Sequence, residues 1–396
     1  MRRAFKPVVL GLLFVATLAN SSTAADTSRG GDVRVNQLQV IGTHNSYHRE
    51  VSEREQAAYD TAINTPGDYD AFLAYSHTTL PRQLARQNVR GLELDLLGDP
   101  LGGLYAEPLI RTRLGLGPLA DPAWRAPGIK VLHIPDVDYK TTCVQFVGCL
   151  RQVRAWSRAH PGHVPIAIML ELKRSDPRVV AAGGVVAPAW DVGALDGLDA
   201  EIRSVFGAQE MITPDDVRRA GHTLEASVLR DGWPTLRDSR GKVLFLLDNE
   251  PGAVRDAYVA GRPNLEGRVL FTNSTPGLAD AAFIKRNEPR GINTLQIADL
   301  VRRGYYVRTR SDVPLQTVVA NDTSMLDAAL VSGAQLVSTD FPQAGMSARY
   351  DSDFVAELPD GRPARCNPIN APRDCRDDRL EGKARQLSGP TIGASR

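Results

Sequence analysis

The stretch QLQVIGTHNSYH at residues 37–48 changes abruptly from apolar to polar. Its first half, with Val40 beside Ile41, suits a parallel strand that is buried on both faces. Side chains capable of chemistry begin where this strand is expected to end. His44 can move a proton near neutral pH, and the amide oxygen of Asn45 is a hard ligand for a cation such as calcium. A single His-Asn pair at a strand end is most often an ordinary loop, so a functional site needs partners from elsewhere in the chain.

Similar apolar runs recur along the chain and predict eight strands. Besides the opening strand, they lie at residues 89–96, 130–134, 165–173, 243–247, 268–272, 304–308 and 334–339. Apolar residues at helical spacing lie between most of them, at residues 79–88, 149–160, 195–206, 277–287, 295–303 and 322–332. Strands that alternate with helices favour a parallel sheet, and eight of them predict an α/β fold, a single-domain (β/α)8 TIM-type barrel in which irregular elements are allowed.

The two ends of the chain depart from this pattern. Basic residues near the start precede an apolar run and then small residues, which is typical of a secretory signal peptide at residues 1–25. The apolar run is too short to span a membrane. We therefore expect residues 26–396 to form a secreted or periplasmic monomer without a transmembrane segment. A polar extension from about residue 341 is expected to wrap the outside of the barrel and to fray near Gly393.

The cysteines and the net charge bear on disulfide formation, zinc binding and nucleic-acid binding. Four cysteines lie in two close pairs, Cys143 with Cys149 and Cys366 with Cys375. In an exported chain they are expected to form disulfides, although the spacing leaves three connectivities open. Neither pair has the C-x-x-C spacing or nearby histidines of a zinc site. A formal net charge of +1 gives no reason to expect nucleic-acid binding.

Polar residues collect at the expected carboxyl ends of the first four strands. They are His44 and Asn45 on the first strand, Glu93 and Asp95 on the second, His133 on the third, and Glu171 and Lys173 on the fourth. In a barrel of this kind the carboxyl ends of the strands carry the active site, so residues far apart in sequence would converge on one mouth.

The acidic members of this set predict a cation site. Glu93 and Asp95 lie two positions apart on one strand, so their side chains point the same way, about 7 Å apart. Two carboxylates held there repel each other unless solvent or a cation separates them, and a barrel wall leaves little solvent except at its mouth. Together with Asn45 and Glu171 they would supply only oxygen ligands, which suits calcium better than magnesium.

Two histidines remain in the set, and in-line cleavage of a phosphodiester can use two. One of them, His44 or His133, would act near the attacking hydroxyl and the other would protonate the leaving oxygen. The other histidines of the chain are expected to be structural or at the surface. His48 is the nearest of these to the site, and a contact between His48 and the substrate is the alternative to a structural role.

In combination these residues resemble a known family. The segments IGTHNSY at 41–47, ELD at 93–95 and LELK at 170–173, with His133, are similar to the calcium-dependent phosphoinositide-specific phospholipase C family. Three further segments also resemble the secreted bacterial branch of this family: HIPDVD at 133–138, PGHVP at 161–165 and ARCNP at 364–368. The resemblance implies a TIM-type barrel with catalytic residues His44 and His133 and calcium ligands Asn45, Glu93, Asp95 and Glu171.

The resemblance also implies an activity. This is cleavage of phosphatidylinositol at a membrane surface, on the glycerol side of its phosphate, to diacylglycerol and an inositol cyclic phosphate. Eukaryotic members carry lysines for the ring phosphates, and no such lysine cluster is found in this sequence, which favours unphosphorylated inositol. Candidates for binding phosphate or inositol hydroxyls are Lys173, Tyr306, Arg308 and Arg310, with ion pairs in the barrel wall as the alternative.

Two other functions stay open. A glycerophosphodiester phosphodiesterase uses the same barrel, two histidines and a carboxylate-bound cation, but it acts on a water-soluble substrate. A secreted lipid or carbohydrate binder without catalysis would be favoured by loss of His44 or His133, and both residues are present.

Overall fold

The computed structural model describes residues 33–62, 67–313 and 315–382. The expected signal peptide at residues 1–25 and the expected fraying near Gly393 lie outside the described residues. The strands are β1 Leu38–Thr43, β2 Gly91–Leu97, β3 Lys130–Val131, β4 Ile166–Leu172, β5 Met211–Ile212, β6 Val243–Leu247, β7 Leu270–Thr272, β8 Phe283–Lys285, β9 Tyr306–Arg310, β10 Leu336–Thr339 and β11 Arg365–Cys366.

Helices lie between most of the strands. The α-helices are α1 Glu53–Ala62, α2 Asp68–Phe72, α3 Leu80–Arg86, α4 Leu109–Arg113, α5 Phe146–Ala159, α6 Pro177–Ala181, α7 Val192–Val205, α8 Pro214–Val217, α9 Leu224–Asp231, α10 Leu236–Ser239, α11 Ala253–Val259, α12 Ile292–Arg303, α13 Gln316–Val319, α14 Ser324–Ser332 and α15 Asp377–Leu380. Helix α5 illustrates how they pack, because Leu150, Val153 and Trp156 form one buried stripe.

In the described part of the chain, eight parallel strands form a curled sheet. Their order is β1, β2, β4, β6, β7, with β10, β9 and β8 following from the other side of β1. An isolated parallel bridge between Asn273 and Phe283 joins β7 to β8. This arrangement confirms the predicted TIM-type α/β fold. Strand β6 is buried along its whole length, as its continuous apolar run predicts, and so is the alternating strand β2.

Two predicted elements are corrected by the structure. The expected third barrel strand at residues 130–134 is only a two-residue strand, β3, which pairs antiparallel with β2. The predicted helix at residues 277–287 is wrong, because β8 lies there and pairs with β9 as a barrel strand. Residues 281–284 are all fully buried. A short run that is apolar on every side cannot be distinguished as helix or strand by periodicity.

A close approach of two strands positions the site. Gly42 of β1 lies opposite Gly91 of β2, and a Cβ added to Gly42 would lie 2.9 Å from the Cα of Gly91. Any larger residue at this pair would push the strands apart. The ends of β1 and β2, which carry the predicted site residues, are therefore held side by side.

The tail returns to the barrel wall. Strand β11 pairs antiparallel with the start of β1, and Leu380 of α15 is buried. The cysteines form the disulfides Cys143–Cys149 and Cys366–Cys375, which confirms disulfide formation and resolves the connectivity. Among the described residues, no helix combines the length and the apolar character needed to cross a membrane.

Candidate active site

An acidic cluster lies at the mouth of the barrel and consists of Glu93, Asp95 and Glu171. One carboxylate oxygen from each lies within 4.8 Å of the others. The register of β2 and β4 sets Asp95 directly opposite Glu171, and Glu93 points to the same side as Asp95 because it lies two positions earlier. The pairing of two neighbouring strands thus assembles the cluster.

The pKa values of two carboxyl groups in this cluster are raised. Burial raises the pKa of Glu93 well above its usual range, although the guanidinium of Arg308 opposes this and donates to Glu93 Oε2 at 2.9 Å. Burial and the neighbouring Asp95 carboxylate raise the pKa of Glu171 to about 7, against the ammonium of Lys173. In both cases burial is the largest cause, and the nearby guanidinium or ammonium does not offset it.

Asn45 lies in the turn after β1, which is attached to the strand that carries Glu93 and Asp95. The turn that carries it is fixed to β2, because the N–H of Ser46 donates to the carbonyl oxygen of Glu93 at 2.9 Å. The side-chain nitrogen of Asn45 donates to the hydroxyl of Tyr75 at 3.2 Å. Among the described residues, none donates a hydrogen bond to the buried Oδ1 atoms of Asn45 and Asp95.

Unpaired buried acceptors are costly, and a bound cation would satisfy these two. The donor set here is one amide oxygen and three carboxylates, with no sulfur or imidazole among the four residues. Oxygen ligands of this kind suit a hard divalent cation, and calcium above the softer metals. The residues present therefore fit a calcium ion.

Lys173, which follows β4, already contacts the cluster. Its Nζ atom lies 3.2 Å from Asp95 Oδ2 and 3.2 Å from Glu171 Oε2. Its backbone is fixed from both sides, since its N–H donates to the carbonyl of Leu96 and its carbonyl accepts from the indole of Trp190.

His44 lies between this cluster and a buried carboxylate. The backbone N–H of His44 donates to the backbone carbonyl of Thr339 at 2.8 Å. This hydrogen bond brings Asp340, the residue after Thr339, beside the imidazole. Nδ1 is 2.9 Å from Asp340 Oδ1, and Nε2 is 3.6 Å from Glu93 Oε1. Burial, and then the charge of Arg310, lower the pKa of His44 to about 4. We assign the proton to Nδ1, which leaves Nε2 unprotonated at neutral pH, with Arg310 NH1 at 3.5 Å as a donor to it.

His133 lies in the loop after β3 rather than on a barrel strand. Its Nδ1 atom is 2.8 Å from Oδ2 of Asp138, a carboxylate that is fully buried. The same carboxylate accepts from Nε2 of His48 at 2.9 Å. One carboxylate therefore orients two imidazoles.

The contacts of His48 determine its protonation state. Its Nδ1 atom is 3.1 Å from the backbone carbonyl of Tyr75, and its Nε2 atom faces the carboxylate of Asp138. Both partners only accept, so both ring nitrogens carry protons. Burial disfavours the charged imidazole, but the Asp138 charge outweighs it and raises the pKa of His48. For Asp138, the charge of His48 overcomes burial and holds the pKa well below its usual range.

The predicted substrate contacts divide into two groups. Arg308 and Arg310 reach the mouth, where Arg308 pairs with Glu93 and Arg310 NH2 donates to Asp340 Oδ2 at 3.2 Å. Tyr306 is not brought to this group: it is buried, and its ring lies 5.6 Å from that of Trp233. Alternation places Tyr306 on the same strand face as Arg310, but four residues of strand separate them by about 13 Å.

Sequence reasoning missed several residues of the mouth. Asp340 follows directly after β10, so the rule that polar residues end barrel strands would have found it. Asp138 closes the HIPDVD segment, which is quoted above without a role for this residue. Lys285, whose Nζ lies 2.8 Å from Asp248 Oδ2, is on β8 and was hidden by the wrong helix prediction.

A cavity of about 520 Å³ adjoins the cluster. Its lining includes His133, Glu171, Lys173, Asn249 and Glu250. The cavity therefore places His133 and Glu171, one member of the acidic cluster, at one solvent-accessible space, which is large enough for a small polar ligand.

Comparison with known proteins gives a consistent result. Residues 33–368 match the sequence model of a family described as phosphoinositide phospholipase C, Ca²⁺-dependent. No curated protein matches the chain.

Solved structures show the same fold. A calcium-dependent phosphoinositol-specific phospholipase C from a Gram-negative bacterium, Pseudomonas sp., is similar with a TM-score of 0.51 and 16% identity, over 86% of this chain and 97% of that one. A structure of that protein described as a myoinositol complex gives a TM-score of 0.50 and 17% identity, over 85% and 96% of the two chains. At such identities the likeness establishes the barrel fold.

Proposed function

Because this chain belongs to the Ca²⁺-dependent phosphoinositide phospholipase C family, we propose that it cleaves phosphatidylinositol to diacylglycerol and an inositol cyclic phosphate. One observation carries the proposal: the cluster of carboxylates Glu93, Asp95 and Glu171 lies near two imidazoles, each held at Nδ1 by a buried carboxylate. Such an arrangement suits in-line attack of a hydroxyl on a phosphodiester.

The cation site would be formed by Asn45, Glu93, Asp95 and Glu171. When bound there, calcium supplies charge that neutralises the phosphoryl oxygens and lowers the pKa of the inositol 2-hydroxyl. The unpaired Oδ1 atoms of Asn45 and Asp95 and the raised pKa of Glu171 support this assignment.

His44 is proposed as the base. Its Nε2 atom is unprotonated near neutral pH and lies 3.6 Å from Glu93, beside the cation ligands. It would take the proton of the 2-hydroxyl as that oxygen attacks phosphorus, and Asp340 would stabilise the imidazolium that forms. The resulting P–O bond closes the cyclic phosphate.

His133 is proposed as the acid. Asp138 holds its Nδ1 proton, so Nε2 can carry the second proton toward the cavity. The bond from phosphorus to the glycerol oxygen breaks, and His133 would protonate this oxygen as diacylglycerol leaves.

An unphosphorylated inositol ring is the proposed headgroup. Lys173 is paired with Asp95 and Glu171, and Lys285 is paired with Asp248 and Glu250. With its ammonium engaged by two carboxylates, Lys285 offers no free charge to a phosphate on the ring, and Lys173 is engaged in the same way while calcium is absent.

Release of inositol cyclic phosphate from phosphatidylinositol vesicles tests the function, with calcium and with excess chelator. Glu93→Gln should raise the calcium concentration required and lower turnover, whereas Glu357→Gln, an exposed glutamate of the tail, should match the parent chain. Full turnover in chelator would refute the cation site. Preferential hydrolysis of glycerophosphocholine would instead favour the glycerophosphodiester phosphodiesterase.

Secretion and domain extent are part of the proposal. Disulfides are typical of oxidising compartments, which supports export of residues 26–396 as one phosphodiesterase domain after removal of residues 1–25. Sequencing the amino terminus of the exported protein tests this, and an intact Met1 would contradict it.

A further inference from the structure

Lys173 lies where a cation is needed. Its ammonium contacts Asp95 and Glu171 at equal distances of 3.2 Å, and its side chain is 17% exposed. The third member of the acidic cluster, Glu93, has its own basic partner in Arg308. Lys173 is thus the basic residue shared by the two remaining carboxylates.

Calcium and this ammonium require the same two carboxylate groups. A calcium ion lies about 2.3 to 2.6 Å from each ligand oxygen. An ammonium that stayed 3.2 Å from the same carboxylate oxygens would then face a divalent charge at close range in a largely buried site. Two like charges in such surroundings repel strongly, because solvent screening there is weak.

Charge balance favours the same conclusion. The cluster carries three carboxylates, and with Lys173 and Arg308 it keeps a net charge of −1 when all three are ionised. A divalent ion added to both basic groups would overshoot neutrality by one charge. If Lys173 leaves, the ion and Arg308 together balance the three carboxylates, so displacement of the lysine gives a neutral site.

We propose that Lys173 is a tethered cation, which occupies the acidic cluster in the absence of calcium and is displaced when calcium binds. The inference rests on the proposed calcium site. In the calcium-free state the lysine limits repulsion between Asp95 and Glu171. Its displacement costs part of the binding energy, so Lys173 weakens calcium affinity and sets the concentration at which the site fills. The adjoining cavity, which Lys173 lines, gives the displaced side chain room.

Calcium titration by calorimetry at fixed pH and ionic strength tests the proposal. Lys173→Met removes the tethered charge, and we expect calcium to bind at least about tenfold more tightly than to the parent chain. Lys173→Arg retains a cation and should remain within about threefold of the parent. Lys140→Met is the matched control, since Lys140 pairs with Glu55 rather than with the acidic cluster.

Thermal unfolding supplies a second measurement that needs no substrate. In excess chelator, Lys173→Met should unfold about 5 °C below the parent chain, because the buried Asp95 and the half-buried Glu171 lose their shared partner. In saturating calcium this difference should disappear. Lys173→Arg should lose little stability in chelator, and it keeps the proposal testable if Lys173→Met folds poorly.

The outcomes separate this proposal from the proposed function. If the parent chain cleaves phosphatidylinositol with calcium but Lys173→Met binds calcium no more tightly, the tethered-cation proposal is overturned and the function stands. If Lys173→Met binds calcium more tightly while phosphatidylinositol is not cleaved, the proposal stands and the function falls. Absence of calcium binding to the parent chain overturns the proposal.

Discussion

A buried carboxylate stands behind each imidazole that faces the mouth. Asp340 holds His44 and Asp138 holds His133, with Nδ1 to oxygen distances of 2.9 and 2.8 Å. Both carboxylates are fully buried, so their charges act with little screening from solvent. The imidazoles differ in their surroundings, because Arg310 lies beside His44 while Asp138 also contacts the charged His48. The two histidines are therefore suited to different proton transfers.

The first prediction concerns His133 as the acid. An alkoxide leaving group needs a proton, and a general acid contributes about 10² to 10⁴ in rate, so His133→Ala should lose about that factor on phosphatidylinositol. An analogue with an activated phenol or thiol leaving group scarcely needs protonation. His133→Ala should be markedly less impaired on it, while His44→Ala should be impaired on both substrates.

Initial rates on the two substrates provide the measurement. Equal losses for His133→Ala on both would assign this residue to binding the phosphate instead.

The second prediction concerns His48 and pH. Its pKa is raised by Asp138, so its contribution to stability is complete below the unfolded value of about 6.5 and is lost as pH rises through the folded value. His48→Gln should therefore lower the free energy of unfolding by about 3 kcal/mol near pH 6 and by less at alkaline pH.

Chemical denaturation over a series of pH values measures this difference. Tyr69→Phe is the control, since it removes a hydrogen bond to Asp138 without removing an imidazole, and its cost should not follow the same pH dependence. A His48→Gln cost that is constant from pH 6 to pH 9 would exclude the charged imidazole.

At the scale of elements, a disulfide closes the segment that carries His133. The loop that follows β3 passes beside the segment that follows β1, where Thr141 forms an antiparallel bridge with His48. Cys143 then bonds to Cys149 inside α5, with a sequence separation of 6. The disulfide thereby fixes the end of this loop to a helix of the barrel wall.

Removing this disulfide is the third prediction. Loops of this length stabilise by about 2 to 3 kcal/mol in the chain-entropy estimate, so Cys143→Ala with Cys149→Ala should lower the free energy of unfolding by that amount. The Cys366–Cys375 pair, with a separation of 9, is the control and should cost about as much when replaced. Turnover at 25 °C should change less than stability in both double variants. Peptide mapping that found four free thiols in the parent chain would contradict the prediction.

At the scale of the whole molecule, the tail connects distant parts of the wall. Glu381 pairs with the buried Arg90, which precedes β2, and it accepts from the N–H of Val164, before β4, at 2.8 Å. Arg90 also lies over the ring of Trp156, 4.9 Å from its centroid. These contacts lie at the amino ends of the strands, opposite the mouth.

The fourth prediction is that Glu381→Ala destabilises the fold without impairing the site. Breaking a largely buried ion pair leaves the Arg90 charge unpaired and should cost about 3 to 5 kcal/mol of unfolding free energy. Denaturant unfolding provides the measurement, and Glu357→Ala, at an exposed tail position, is the control. A loss below about 1 kcal/mol would mean that the Arg90 charge finds solvent or another partner.

Local sequence patterns were sufficient to predict the sheet and the position of several site residues. Continuous apolar runs predicted the parallel sheet, because a strand covered on both faces has no polar side. Alternation placed Glu93 and Asp95 on one side of β2, and the carboxyl-end rule directed attention to one mouth, where the structure brings them together with Glu171. These inferences depend on residues a few positions apart, so the amino-acid sequence by itself was sufficient.

Only the tertiary structure decided which residues complete the site. Asp340 reaches His44 from nearly 300 positions away through the pairing of β1 with β10, and Lys285 arrives on a strand that periodicity could not identify. Lys173 was predicted as a substrate contact, and its pairing with Asp95 depends on the register of β2 with β4. The physical reason is that alternation fixes the side of a strand on which a residue lies. The neighbour across the sheet is fixed by register, which the whole barrel sets as it closes.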